Sequence, residues 1–201
     1  ELANINFSML FNASSVAAVA ALGYNDKVAY PWFAPAGFNR AGLRDGAAGM
    51  KVTDATERLL SSDRDTLYES NINPIASFVG ADGIVIFGQK TLQSTRTALD
   101  RINVRRLLIF IKKEISKISK QVLFQPNVEA TWTDFLRRVE PFLERVKVKF
   151  GLTDFKVVLD RTTTTDDLID RNIMYAKVFI KPARAIEFIA VDFIITRTGS
   201  S

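Results

Sequence analysis

Apolar residues recur at steps of three or four from Val104 to Val122, taking in Leu107, Leu108, Ile111, Ile115 and Ile118. This spacing lays one continuous stripe along about five helical turns and predicts the strongest helix of the chain. Asp100 or Asn103 stands where its N-cap belongs. A second stripe of Trp132, Phe135, Leu136, Val139, Phe142, Leu143 and Val146 predicts another amphipathic helix after Thr131, kinked or broken at Pro141 and closed at Gly151. Beyond Gly151 the pattern turns to β character. Phe155–Leu159 reads as a strand, Thr162–Asp166 as a polar turn, and Asp167–Arg171 as a short helix. Met174, Ala176, Val178 and Ile180 alternate with Tyr175, Lys177 and Lys181, as in a half-buried strand over Ile173–Lys181. Pro182 interrupts, and Ala185–Arg197 reads as a final strand.

The first half is less periodic. A short strand is expected near Ile5–Met9 and a helix over Ser14–Leu22, which Gly23 would end by taking a left-handed cap. Tyr30–Phe33 reads as extended and interrupted by Pro31, and the glycines from Gly37 to Gly49 as a loop. Thr53–Tyr68 predicts a polar helix and Asn71–Pro74 a turn. Gly83 and Gly88 bracket Ile84-Val85-Ile86-Phe87, an apolar run that reads as a buried strand. The expected fold is α+β: a mixed β-sheet from the strands near 84–87, 155–159 and 173–181, flanked by two long amphipathic helices, with a C-terminal strand or arm. There is no internal repeat and no low-complexity tail.

Composition narrows the chemistry. The 201 residues contain neither cysteine nor histidine. Disulfides, thiol nucleophiles and thiolate metal sites are thereby excluded, as is the usual near-neutral general base. Carboxylates, Lys and Tyr remain for catalysis. The length suits one domain, and Val16–Leu22, the longest small-apolar stretch, is far short of the roughly 20 residues that span a bilayer. No basic segment precedes it as in a signal peptide. Opening at Glu1 without Met predicts a piece of a longer protein. The net charge of +5 suits an acidic partner, a nucleic acid or an anionic surface.

Gly83-Ile-Val-Ile-Phe-Gly88-Gln89-Lys90-Thr91 nearly spells a phosphate-binding loop, but Gln89 is inserted and the four intervening residues are β-formers. A strand between two glycine breaks is the better reading. Asp63-Arg64-Asp65 and Asp166-Asp167 with Asp170 lack the central Gly of a calcium loop, and Asp166 and Asp167 suit a helix N-terminus. No cofactor or metal is called for. Arg106, Lys113, Lys117 and Lys120 share one face of the first long helix, opposite its apolar stripe; Arg138, Arg145 and Lys149 form a second basic set. Either is a solvated face or a surface for an acidic partner. A nucleic-acid module lacks the interleaved exposed aromatics it would need. Two alternatives stay open: a small enzyme or nucleotide-binding domain using carboxylates and Lys90, and a nucleic-acid-binding module using the basic helix.

An ordered series carries a resemblance: Leu67-Tyr68-Glu69, Asn73-Pro74-Ile75, Gly83 to Leu92, Ala98 to Leu107, and then Ile180-Lys181-Pro182-Ala183-Arg184-Ala185-Ile186-Glu187-Phe188-Ile189. It resembles the C-terminal core of contractile tail sheath proteins of myovirus-type phages, collinearly over roughly residues 30–197. The resemblance implies a non-enzymatic structural subunit that polymerises as six-fold rings around a tail tube and contracts. It implies a virion location after assembly in the host cytoplasm. The implied partners are copies of itself, the tail tube protein, the baseplate and the tail terminator, with no nucleic acid and no membrane insertion. Residues 1–184 would be the tube-proximal core and 185–201 a linking arm. Ile189, Val191, Phe193 and Ile195 form one parity of that arm; Phe188, Ala190, Ile194 and Thr196, broken by Asp192, form the other. Such a strand needs cover on both faces, from its own chain or from a neighbour. By the family's mode, the part from about Val191 onward joins another subunit. The basic helices would face the acidic tube, through Arg106, Lys113, Lys117 and Lys120 or through Arg138, Arg145 and Lys149.

Overall fold

In the computed structural model the described residues are 14–44, 46, 49, 51–78 and 83–191. Nine elements follow in order: α1 (Ser14–Val28), α2 (Ser61–Glu69), β1 (Ile75–Phe78), β2 (Gly83–Ile86), α3 (Ile102–Val122), α4 (Glu129–Val148), β3 (Leu152–Val158), α5 (Asp166–Asp170) and β4 (Lys177–Pro182). The class is α+β, as the patterning predicts. The expected single mixed sheet is instead two separate antiparallel pairs, β1–β2 and β3–β4. The two pairs lie in different cores, so no strand of one can reach the other.

The larger core lies between α3, α4 and the β3–β4 pair. Both helical stripes are buried there: Leu107 and Ile111 from α3 meet Trp132, Phe135, Val139, Phe142, Leu143 and Val146 from α4. Met174, Ala176, Val178 and Ile180 pack on the same core, so their alternation is real although the strand itself begins only at Lys177. Pro141 sits within α4 without ending it. The residue and Arg137, whose carbonyl its ring leaves unpaired, both face solvent, where water replaces the lost bond. At the head of α3 the cap position is Arg101, with no side-chain cap, rather than Asp100 or Asn103.

The smaller core gathers Ala17 and Ala21 of α1, Ala41, Leu43, Ile84 and Ile86. β2 is central in it. β1 pairs with one edge, and on the other Leu43 N donates to Ile84 O at 2.8 Å while Ile86 N donates to Ala41 O at 3.1 Å. All four β2 residues are therefore buried, which is why the run is apolar throughout. β1 itself was not predicted, because Ile75-Ala76-Ser77-Phe78 is short and follows Pro74.

Three expectations fail for local reasons. α1 runs through Gly23 to Val28, because Gly23 is on the solvent side while buried Asn25 donates from Nδ2 to Tyr30 O (3.2 Å) beyond the helix end. Packing of Ala17, Ala21 and Asn25 outweighs the roughly 1 kcal/mol that glycine costs in a helix. The polar helix shrinks to Ser61–Glu69, since Thr53–Leu60 offers no stripe to bury; Asp63 marks its start by accepting from Leu60 N at 2.9 Å. Tyr30–Phe33 is a turn closed by Phe33 N to Tyr30 O (3.0 Å), with Pro31 at its second position. The strand expected at Ile5–Met9 lies outside the described residues.

α4 ends in a Schellman turn: Gly151 N donates to Val146 O and Phe150 N to Lys147 O, each at 2.9 Å. Phe150, with φ of 60°, and not Gly151 takes the left-handed position. Gly151 is needed for space. A Cβ there would lie 2.6 Å from Val146 Cγ1 and 3.1 Å from Trp32 Nε1, which itself donates to Lys149 O at 2.9 Å. Gly151→Ala is expected to lower unfolding stability by about 1–3 kcal/mol through overpacking, read as a shift of the urea midpoint at unchanged slope.

Candidate functional site

The residues at the heart of the ordered sequence series converge on one polar cluster. α2 ends with Asn71 at φ 60°, in a second Schellman turn (Ile72 N to Leu67 O, 2.9 Å), which turns the chain toward Asn73. Asn73 grips the Lys90 backbone from both sides, Nδ2 donating to Lys90 O at 2.9 Å and Oδ1 accepting from Lys90 N at 2.7 Å. The approach requires Gly88, where a Cβ would stand 2.8 Å from Asn73 Oδ1. Lys90 in turn bridges to Arg101, with Ile102 N donating to Gln89 O at 2.8 Å and Thr91 N to Asp100 O at 3.0 Å. Tyr68, Gln89 and Arg101 are thus set side by side from three parts of the chain.

All three donate to Glu187. Arg101 forms a two-pronged pair, Nε to Oε1 at 2.7 Å and Nη2 to Oε2 at 3.0 Å. Tyr68 Oη donates to Oε2 at 2.6 Å and Gln89 Nε2 to Oε1 at 3.3 Å. Burial opposes ionisation of Glu187, but the hydrogen bonds from Arg101 and Tyr68 and the Arg101 charge outweigh it and hold the carboxyl below its usual value. Burial, then the bond to Glu187, pushes the Tyr68 hydroxyl well above its ordinary range, so it serves as a neutral donor. The Arg101 and Glu187 side chains keep 26% and 19% exposure, so the pair contributes roughly 1–3 kcal/mol.

Glu187 anchors a segment that is otherwise loosely held. Ala183 N donates to Gly151 O at 3.0 Å; after it, among the described residues, no backbone hydrogen bond engages 184–191. No strand forms there either, in contrast to the one expected over Ala185–Arg197, whose part beyond Val191 lies outside the described residues. Ile186, Phe188, Ile189 and Val191 are 62–83% exposed. Beneath the segment runs a cleft of about 480 Å³, lined by Trp32, Phe33, Arg40, Phe87, Phe150 and the cluster itself.

The other candidates have definite places. The near-miss phosphate loop is a strand at Gly83–Ile86, and Lys90 is committed: its ammonium donates to Tyr68 O and lies 4.0 Å from the Tyr68 ring centroid. Asp166 and Asp167 occupy the first turn of α5, where Asp166 pairs with Arg161 at 2.9 Å. Of the basic residues, Arg106 pairs with Asp26 of α1 at 2.5 Å, Lys117 with Glu114 at 2.6 Å, and Arg138 with Asp134 at 2.9 Å while donating to Gln121 at 2.7 Å. Lys113, Lys120 and Arg145 are exposed and make no ion pair among the described residues; Lys149 lies 5.9 Å from the Tyr30 ring. Ile189 and Val191 are exposed, whereas Phe193 and Ile195 lie outside the described residues. Sequence reasoning assigned Tyr68, Gln89, Arg101 and Glu187 no role. The available signal was their place as polar residues inside the ordered series.

A two-core α+β body that presents on a built anchor an apolar segment whose described backbone makes no hydrogen bond has the features of an assembly subunit. Comparison with known proteins gives the family. The phage tail sheath C-terminal domain matches residues 94–196. The chain is 40% identical over 177 residues to the tail sheath protein of Vibrio phage KVP40, covering 88% of this chain and 25% of that protein. To the tail sheath protein of Enterobacteria phage T4 it is 37% identical over 175 residues, covering 87% and 26%. The chain thus spans about a quarter of the length of these relatives. A chain of the contracted helical sheath of the anti-feeding prophage is 26% identical with a TM-score of 0.73, covering 87% of this chain and 48% of that one. A chain of the same system's baseplate shares the fold, with a TM-score of 0.77 at 24% identity, covering 90% and 49%. The chain belongs to the phage tail sheath protein family.

The depressed Glu187 value has a direction in pH. Because the folded group ionises more readily than the unfolded one, its contribution is full above the ordinary glutamate range near about 4.3 and is lost as pH falls through the lowered value. A carbon-detected NMR titration of the Glu187 carboxyl should give a midpoint below the ordinary glutamate value of about 4.3, and Arg101→Ala should raise it.

Proposed function

We propose that the chain forms the tube-proximal part of a structural subunit of a contractile tail sheath, polymerising as six-fold rings around the tail tube and contracting to drive it through the host envelope. Residues 1–184 serve as the core and 185–201 as a linking arm. Family membership supports the reading, and the observation that carries it is the exposed apolar segment at Ile186–Val191 with its free backbone. Such a segment gains by joining a sheet elsewhere, main-chain bonds supplying affinity and alternate side chains the register. The β3–β4 pair is a fitting acceptor. Among the described residues it has two strands, with one edge of each unpaired, and it exposes Phe179 at 55%. A lone pair of strands is marginal and is strengthened by a further strand.

The partners of such a subunit are its own copies, the tail tube protein, the baseplate and the tail terminator, in a virion tail assembled in the host cytoplasm. Toward the tube, attraction between exposed charges would act within about 8–10 Å at physiological salt. Lys113, Lys120 and Arg145 are the cations best placed for that contact, with Lys117 held partly by Glu114. An enzymatic reading draws no support from the site, whose lysine and carboxylate are both engaged in holding chain segments together.

Deleting Val191–Ser201 from the full-length protein should leave it folded and soluble but unable to form tubes by electron microscopy. Unfolding on deletion would instead make the segment part of the intramolecular core and defeat the arm assignment. Separately, Lys113→Glu, Lys117→Glu and Lys120→Glu together should impair assembly on purified tube, more at low than at high salt, with an unchanged circular-dichroism spectrum. Unimpaired assembly would transfer the tube contact to Arg138, Arg145 and Lys149.

A further inference from the structure

We propose that Glu187 is a positioning residue that fixes where, and in which direction, the C-terminal arm leaves the body. The proposal rests on the arm reading above and adds the device that aims the arm.

The receptor for Glu187 is built without it. Tyr68 lies under the Lys90 ammonium, Gln89 is 3% exposed, and Arg101 is bridged through its backbone to Lys90 and through its guanidinium to Asp100 at 3.2 Å. The donors come from α2, from the stretch after β2 and from the head of α3, so a carboxylate bound to all three is located from several directions. Nothing comparable holds the neighbours. The last backbone bond before Glu187 is at Ala183, and Ile186, Phe188 and Ile189 are 80–83% exposed.

The cleft beneath makes the anchor consequential. Its floor of Trp32, Phe33, Phe87 and Phe150 could accept the apolar side chains of the segment, and the hydrophobic effect favours that collapse. Held by Glu187, the segment instead borders the cleft, with Ile186 and Phe188 at its rim still 83% and 80% exposed and available to a second copy of the chain. A pre-aimed arm loses less conformational freedom on joining a neighbour than a free one. Glutamate suits the role chemically. Its two oxygens satisfy the arginine fork and still accept from Tyr68 and Gln89, whereas an amide would present one acceptor and face Arg101 with an N–H.

The test uses the absence of native cysteine, which permits clean double spin-labelling. Labels at Ser116→Cys on α3 and Val191→Cys report the arm root in the unassembled chain, and tube formation is followed in the full-length protein. The native pair should give a narrow distance distribution. Glu187→Ala should broaden or displace it, and should raise the protein concentration needed for tubes by about tenfold or more, while the melting temperature falls only by the several degrees that loss of the ion pair accounts for and the chain stays folded at the assay temperature. Glu187→Gln should fall between the two. Exchanging the charges, Arg101→Glu with Glu187→Arg, should recover part of both readouts relative to Arg101→Glu alone. An unchanged distribution in Glu187→Ala, or a broadened one with normal assembly, overturns the proposal. Normal assembly after deletion of Val191–Ser201 would instead overturn the arm reading, and the spin distances stay informative about Glu187 in that case.

Discussion

The burial of α3 against α4 sets the positions of almost everything else. The two helices have 21 and 20 residues, hence about 30 Å of length each, and their facing stripes exclude water along much of it. Because side chains interlock at near-crystalline density, the helices cannot slide without opening cavities. Their ends are therefore fixed points. The head of α3 delivers Arg101 to the polar cluster. The end of α4 delivers the Lys149 carbonyl to Trp32 and Gly151 to the start of β3. Arg138 reaching from α4 to Gln121 of α3, and Arg106 reaching to Asp26 of α1, fasten the outside of the same arrangement.

The polar cluster uses this rigidity. A carboxylate that keeps only a fifth of its surface must be compensated, and four donated hydrogen bonds from three residues do so. The compensation is directional as well as electrostatic. Hydrogen bonds to a planar carboxylate weaken quickly when misaligned, so they transmit the geometry of α2 and α3 to a segment with no regular structure of its own. Apolar burial alone would hold that segment without fixing its register.

Exposed charge and exposed apolar surface are interspersed. Lys113, Lys117 and Lys120 are exposed on α3 beside Ile109, and Phe179, Ile186, Phe188 and Ile189 are exposed on β4 and beyond it beside Lys177, Lys181 and Arg184. Screened charge acts over about a Debye length, and apolar contact only on touching. Charge on such a surface therefore acts before contact and with little regard to shape, whereas its apolar side chains act only where a surface fits them.

The sequence by itself determined α3 and α4, the buried run at Ile84–Ile86, the alternation from Met174 to Ile180 and the class of fold, because each of these is a periodic signal read within a few turns or one strand. It also carried the family, through the ordered series from Leu67 to Ile189. It did not determine that the strands form two separate pairs, that β1 exists, that α1 passes Gly23 or that Phe150 rather than Gly151 takes the left-handed turn. In each case packing from distant residues outweighs a local preference of about 1 kcal/mol or less. The site was the least legible part. Tyr68, Gln89, Arg101 and Glu187 are ordinary polar residues scattered over 119 positions, and each alone reads as surface. Only the tertiary structure decided their meeting, since hydrogen bonds form by proximity in space, and that proximity comes from the helix packing and not from any pattern the four residues make along the chain.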